Sequence, residues 1–289
     1  MAKIVFAAGV PHAPAIVGQF DHAPDEVKAV VTDTFEAVKQ QMYAARPDVL
    51  IVFANDHLAN SRVRSYPDFL IGTAREHRGP HSWFKPWIGC RDYVAKGNPD
   101  VAKALFRGMT HRGIRMTAKA ENLNFDDNIS VPVVMTDLDQ SEIGLVPVLQ
   151  NCTVPPYPDQ YHCYAVGKAL GDFVRNDLPA DLRVGLIGSG GLSHEPGGAR
   201  YYKIDQEFDR AFLQLTTQGD HDTLLKEMTP ERMDTAGMGG TAEILAWYPI
   251  MGAIGECTGE DFGYSGWPNF RCGIGGVIWD LSTSKQHQH

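Results

Sequence analysis

"VLIVFANDHLAN", Val49–Asn60, decides how the rest of the chain is read. It opens on a short unbroken apolar run, Val49–Ala54, that polar residues then end. Such a run marks a strand buried on both faces, as the strands of a parallel sheet are. Asn55, Asp56 and His57 follow at once, so a histidine stands where strand turns into loop.

Working outward, Lys3–Val10 reads as a second buried strand, and it too runs into a histidine, His12, between Pro11 and Pro14. Between the two strands, Pro24–Ala45 carries Val27, Val30, Val31, Phe35, Val38 and Met42 at helical spacing. Further strands are expected at Phe69–Thr73, Ile143–Leu149, Arg183–Gly190 and Gly273–Trp279. Helices are expected after Asn98, over Pro158–Asn176, over Lys203–Gln218 and from Thr241 to about Gly252. This alternation predicts an α/β fold. One domain, residues 1–280, holds a central, mostly parallel or mixed sheet flanked by helices on both faces. Residues 281–289 are expected to form a flexible, solvated C-terminal tail. In open α/β sheets ligands collect where strands end and loops begin, which gives His12 and His57 a candidate role.

Composition narrows the partners. The 289 residues are 43% hydrophobic and 21% charged, ordinary for a globular protein, and the formal net charge is −9. An acidic surface repels nucleic acid and anionic membranes, so neither is an expected partner. No apolar stretch approaches the roughly 18 residues of a membrane span, and no cleavable leader is visible at the N-terminus. The five cysteines are scattered and never spaced as CxxC, which argues against a disulfide framework or a Cys-rich zinc site. The expected compartment is the cytoplasm.

Two more stretches carry chemistry. "GLIGSGGLSHEPGG" runs from a strand into a glycine-rich loop with one histidine, His194, which suggests backbone packed tightly against a ligand. It lacks the spacing of a phosphate loop, and Ser189 and Ser193 do not stand in GxSxG. "GMGGTAEILAWYPIMGAIG" sets Glu243 among apolar residues, where a carboxylate must be paired, protonated or metal-bound. Two neutral imidazoles and a carboxylate leave coordination positions open on a metal, an arrangement that suits non-haem Fe(II).

At these residues the chain resembles the class III extradiol ring-cleavage dioxygenases, the group of the protocatechuate 4,5-dioxygenase catalytic subunit and 2,3-dihydroxyphenylpropionate dioxygenase. The resemblance rests on "GVPHAP", "NDH", "GSGGLSHEPGG" and "GGTAEILAW", and covers the chain to about residue 280. It implies Fe(II) held by His12, His57 and Glu243, with His194 as the acid/base residue at a substrate hydroxyl. It implies a small aromatic substrate with two vicinal oxygens, opened beside the diol by O2. It also implies a homo-oligomer, or a small accessory subunit over the site. In "FDDNISVPV" Asn128 stands where the family commonly has a histidine, and asparagine hydrogen-bonds but does not titrate. Asn128 is therefore a candidate second catalytic position. The basic and aromatic stretch Ala74–Tyr93 is a candidate lid for a substrate carboxylate, with a plain surface excursion or a subunit contact the favoured reading. A zinc hydrolase on a similar sheet and a non-catalytic binding relative are the alternatives.

Overall fold

The computed structural model describes residues 1–284. Ten strands are present among them: β1 Lys3–Val10, β2 Val49–Asn55, β3 Phe69–Gly72, β4 Glu76–Gly79, β5 Tyr93–Lys96, β6 Thr117–Lys119, β7 Gly144–Gln150, β8 Arg183–Ser189, β9 Gly259–Ser265 and β10 Ile274–Trp279. Eight form one sheet in the order β6-β3-β7-β2-β8-β1-β10-β9, while β4 and β5 form a separate antiparallel hairpin. The central strands β7, β2, β8 and β1 run parallel. β3 joins antiparallel on one side, and β10 and β9 join antiparallel on the other.

The period-2 alternation of β2 explains why the sheet is covered twice. Val49, Ile51 and Phe53 enter one core, with Leu170, Phe173, Phe212 and Met251 from the helices Gln160–Asp177, Gln206–Gln218 and Tyr248–Ile254. Leu50, Val52 and Ala54 enter the other, with Val31, Phe35 and Val38 of the helix Asp25–Ala45. A strand buried on both faces has no polar positions to alternate, hence the continuous apolar runs.

The expected elements are found within a few residues of their predicted ends, with instructive differences. Thr241–Gly252 is not one helix: Thr241–Trp247 is a 3₁₀ segment, and the α-helix begins at Tyr248. Pro249 has no N–H to bond back to Leu245, whose carbonyl is instead taken by Tyr248 in the tighter i→i+3 pattern. The hairpin β4–β5 and edge strand β9 carry too few apolar residues to stand out in the sequence. The ordered chain also runs past 280. Leu281–Thr283 makes a 3₁₀ turn and Ser284 Oγ donates to Ile254 O, while 285–289 of the expected tail lie outside the described residues. Among the described residues no helix is long and apolar enough to cross a membrane, and all five cysteines are free and buried.

Candidate active site

β8 lies between β1 and β2, and its last residue, Ser189, pairs with Val10 on one side and Ala54 on the other. His12 and His57 therefore leave the sheet at one height, astride the end of β8. Their strands are separated by β8 and are not direct neighbours, yet the two rings meet edge to face with centroids 5.3 Å apart. Glu243 arrives from above on the 3₁₀ segment, which lies directly on the glycine loop. A Cβ on Gly190 would sit 2.3 Å from the Glu243 carbonyl, and Gly191 has φ +66°. The glycines thus make room for the segment bearing Glu243, and Gly191 also lines the cavity.

The ligand atoms of His12, His57 and Glu243 lie within 4.8 Å of one another. His12 Nε2 is 3.0 Å from Glu243 Oε2, and His57 Nε2 is 2.8 Å from Glu243 Oε1. The far side of each ring fixes what these nitrogens offer. Ser189 Oγ spends its single hydrogen on the carbonyl of Asn128, 2.8 Å away, so it accepts from His12 Nδ1 at 3.0 Å. His57 Nδ1 faces only acceptors, Asp126 Oδ2 at 3.1 Å and Asp127 Oδ1 at 3.5 Å. Both rings are thereby biased to carry the proton on Nδ1 and to turn an Nε2 lone pair toward the carboxylate. Buried His12 Nε2 has no hydrogen-bond partner. Two lone pairs and a carboxylate converging in a buried site call for a cation among them, and two nitrogens plus one oxygen suit a divalent transition metal.

In a cation's absence, protons balance the same carboxylates. Burial would lower the pKa of His57, but the Asp126 and Glu243 carboxylates outweigh it and hold the pKa well above the ordinary histidine value. Burial would raise Glu243, yet His194, His57 and His12 together keep it well below the usual carboxylate range. The polypeptide has gathered negative charge for a cation to neutralise.

His194 stands across the cavity. Its Nδ1 donates to Leu192 O at 2.9 Å, and its Nε2 lies 3.5 Å from Glu243 Oε1. Burial works against its protonated form, but neighbouring Cys272 and Glu243 raise its pKa well above the ordinary value. Asn128 is not brought to the cavity. Its Nδ2 donates to Asn55 O and its Oδ1 accepts from Ile129 N, both at 2.7 Å. Both ends of the amide are spent on backbone, at the start of the helix Asp127–Met135. The residue at the wall is Asp127, whose carboxyl burial pushes up to about 7, Asp126 adding to this and His57 opposing it.

The cavity holds about 420 Å³ and is walled by Phe84, Trp87 and Phe270 over this polar floor. Phe84 and Trp87 belong to the stretch Ala74–Tyr93, so that excursion does supply an aromatic wall. Its cations do not face inward: Arg78 pairs with Glu76, Lys85 with Asp92 and Arg91 with Asp139.

A family model described as the catalytic LigB subunit of aromatic ring-opening dioxygenase matches residues 6–275. The chain belongs to this extradiol dioxygenase family. A 2,3-dihydroxyphenylpropionate/2,3-dihydroxicinnamic acid 1,2-dioxygenase of Rhodococcus rhodochrous is 24% identical over 299 residues, 88% of this chain and 90% of its own length. Its counterpart in Cupriavidus necator is 25% identical over 84% of this chain and 87% of its own. One from Pseudomonas putida is 29% identical over 67% of this chain, but that match spans only 58% of the relative. The crystal structure of an uncharacterized protein from Escherichia coli K12 covers 95% of this chain with a TM-score of 0.59 at 16% identity, a likeness of fold alone.

Within this family member, sequence reasoning missed Asp126. It caps the helix Asp127–Met135 by accepting from Asn128 N at 3.0 Å, and it turns its other oxygen to His57. The doubled acid before an apolar run was the available signal, since Asp is a preferred N-cap. Tyr201 and Arg271, also in the wall, had no signal at all, because their loops meet only in the folded chain.

Proposed function

We propose that the chain is a non-haem Fe(II)-dependent extradiol dioxygenase that opens the ring of a catecholic compound with O2 in aromatic degradation. The observation that carries this is the convergence of His12, His57 and Glu243, with the Nε2 atoms of both imidazoles directed at one carboxylate. These three residues would hold the metal. Bound Fe(II) would supply adjacent open positions for a diol and for dioxygen, and the electron transfer between them.

The chain's own residues do the rest. His194 Nε2 accepts the proton of a substrate hydroxyl, as a general base poised beside the site. Phe84, Trp87 and Phe270 hold an aromatic ring and keep bulk water from the floor. Asn128 is a positioning residue: its carbonyl fixes Ser189, and Ser189 fixes His12. The same reading assigns the enzyme to a reducing cytoplasm, in keeping with five free cysteines. It takes a second copy or a small accessory subunit as the cover for the exposed rim at Leu58, Trp83 and Trp87.

The test is oxygen uptake by protein loaded anaerobically with Fe(II), screened against catechols, protocatechuate, gallate and aminophenols. Uptake with a coloured ring-fission product is expected. His194→Ala should keep its iron and lose about 10²–10⁴-fold in rate. No uptake with any diol, together with ester or amide hydrolysis by the zinc form, would replace this reading with that of a hydrolase.

A further inference from the structure

We propose that Asp209 is a positioning residue for His194, acting through the single peptide unit between Leu192 and Ser193. The inference rests on the reading of His194 as the base of ring opening, and it adds the group that sets the direction of that base.

The peptide Leu192–Ser193 is trans, so its carbonyl and its N–H point opposite ways. The carbonyl accepts from His194 Nδ1 at 2.9 Å, nearer than the other neighbour of that nitrogen, Cys272 Sγ at 3.6 Å. The N–H donates to Asp209 Oδ1 at 2.8 Å. Carboxylate, peptide and imidazole therefore form one chain of hydrogen bonds. In a Ser-His-Asp triad a buried acid grips the imidazole directly and fixes which nitrogen works. Here one peptide stands between acid and ring. An amide whose N–H is held by a charge is a better acceptor at its carbonyl, because hydrogen bonds in series polarise one another. With Nδ1 committed to that carbonyl, Nε2 is the nitrogen that exchanges protons with the cavity, on the side of Glu243.

Asp209 lies in the first turn of the helix Gln206–Gln218 and is fully buried. Its second oxygen, Oδ2, accepts from Ser193 Oγ at 2.9 Å and from Tyr264 Oη at 2.7 Å. Among the described residues no lysine, arginine or histidine forms an ion pair with it. Burial pushes its carboxyl up to about 6, with Asp205 adding to the rise and the bonds from Tyr264 and Ser193 opposing it. A neutral side chain would fill this space at less cost, so helix packing gives no reason for a charge here. Gly273 completes the arrangement. Its N–H donates to Ser193 O and its carbonyl accepts from Leu192 N, both at 3.0 Å, so the peptides on either side are tied down as well. A Cβ at this position would stand 2.0 Å from Asp209 Oδ2. The start of β10 is thus bare where the carboxylate reaches the loop.

The experiment compares Asp209→Asn and Asp209→Ala with Tyr264→Phe, which takes one donor from Oδ2 and leaves the Oδ1 bond to the peptide in place. In Fe(II) enzyme, kcat should fall about 10-fold in Asp209→Asn and about 100-fold in Asp209→Ala, less than the roughly 10⁴-fold lost where the acid touches the ring itself. KM and iron content should hold. Tyr264→Phe should melt at a lower temperature and leave kcat near wild type. A second readout needs no turnover. Long-range proton–nitrogen NMR spectra of the metal-free chain labelled at histidine, taken above the titration of His194 and assigned with His194→Gln, report which ring nitrogen holds the proton. The wild type should show it on Nδ1 alone, and both Asp209 variants should show a share on Nε2. Unchanged ring signals in both variants, or a kcat loss matched by Tyr264→Phe, would overturn the assignment. If Asp209→Ala does not fold, Asp209→Asn decides alone. Failure to take up oxygen with any diol would instead remove the ring-opening reading, while the ring signals still decide the role of Asp209.

Discussion

His12 and His57 leave the sheet at the same height, yet one is backed by a hydroxyl and the other by carboxylates. Ser189 offers His12 a neutral acceptor already tied to the Asn128 carbonyl, and the arrangement is fully buried. His57 sits on a half-open turn: Leu58 has φ 64° and lies at the cavity mouth, and Asp56 holds the turn by accepting from Asn60. A neutral backing fixes a ring's orientation. An anionic backing also raises its basicity and its attraction for a cation. Two proposed ligands of one kind are thus made unequal by the groups behind them.

The largest effect should come from removing the proposed ligands themselves. Ala at His12, His57 or Glu243 should each cut iron occupancy and turnover by more than the roughly 100-fold upper range for supporting residues. Iron analysis after gel filtration checks this, and full occupancy in His57→Ala would show that the two strand ends are not partners. The supporting residues come next and test the inequality directly. Asp126→Asn keeps an N-cap but loses the charge behind His57, and should weaken metal binding about 10–100-fold. Ser189→Ala removes only a neutral acceptor and should cost less. Competition with a chelator at fixed pH measures both, and equal losses would mean that charge behind the ring does not matter here.

Much of this was legible because a buried strand announces itself. Lys3–Val10, Val49–Ala54 and Arg183–Gly190 are continuous apolar runs, and each ends in chemistry-bearing residues at the edge of the sheet. His12, His57 and His194 could be nominated from those ends, and Glu243 from the apolar residues around it. Their neighbours could not, since Tyr201 and Arg271 lie 70 residues apart and meet only in the folded chain, through a hydrogen bond and a cation–π contact. The 3₁₀ turn that carries Glu243 was read as α-helix because the two share an apolar pattern over one turn, and only Pro249 separates them. The strand order was equally hidden. That β8 inserts between β1 and β2 depends on crossovers and not on any local run.

The smallest effect should come from Asn128, the position where the family resemblance suggested chemistry and the fold supplies support. Its side chain is fully buried and bonded at both ends to backbone, so Asn128→Ala leaves the Asn55 carbonyl without its donor. A lost buried hydrogen bond costs about 1–3 kcal/mol, which in a domain of this size lowers the melting temperature by a few degrees, at about 2–4 °C per kcal/mol. The backbone carbonyl that Ser189 uses is unchanged by the substitution, so iron affinity and the pH profile of kcat should move little. Asn128→His asks a larger ring to fit a closed space and should destabilise by about 1–3 kcal/mol without adding a titrating group to the reaction. Thermal melts, iron content and a pH-rate profile on both variants decide the matter. A new ionisation in Asn128→His, with the fold intact, would return this position to the cavity and make it the second proton-transfer site.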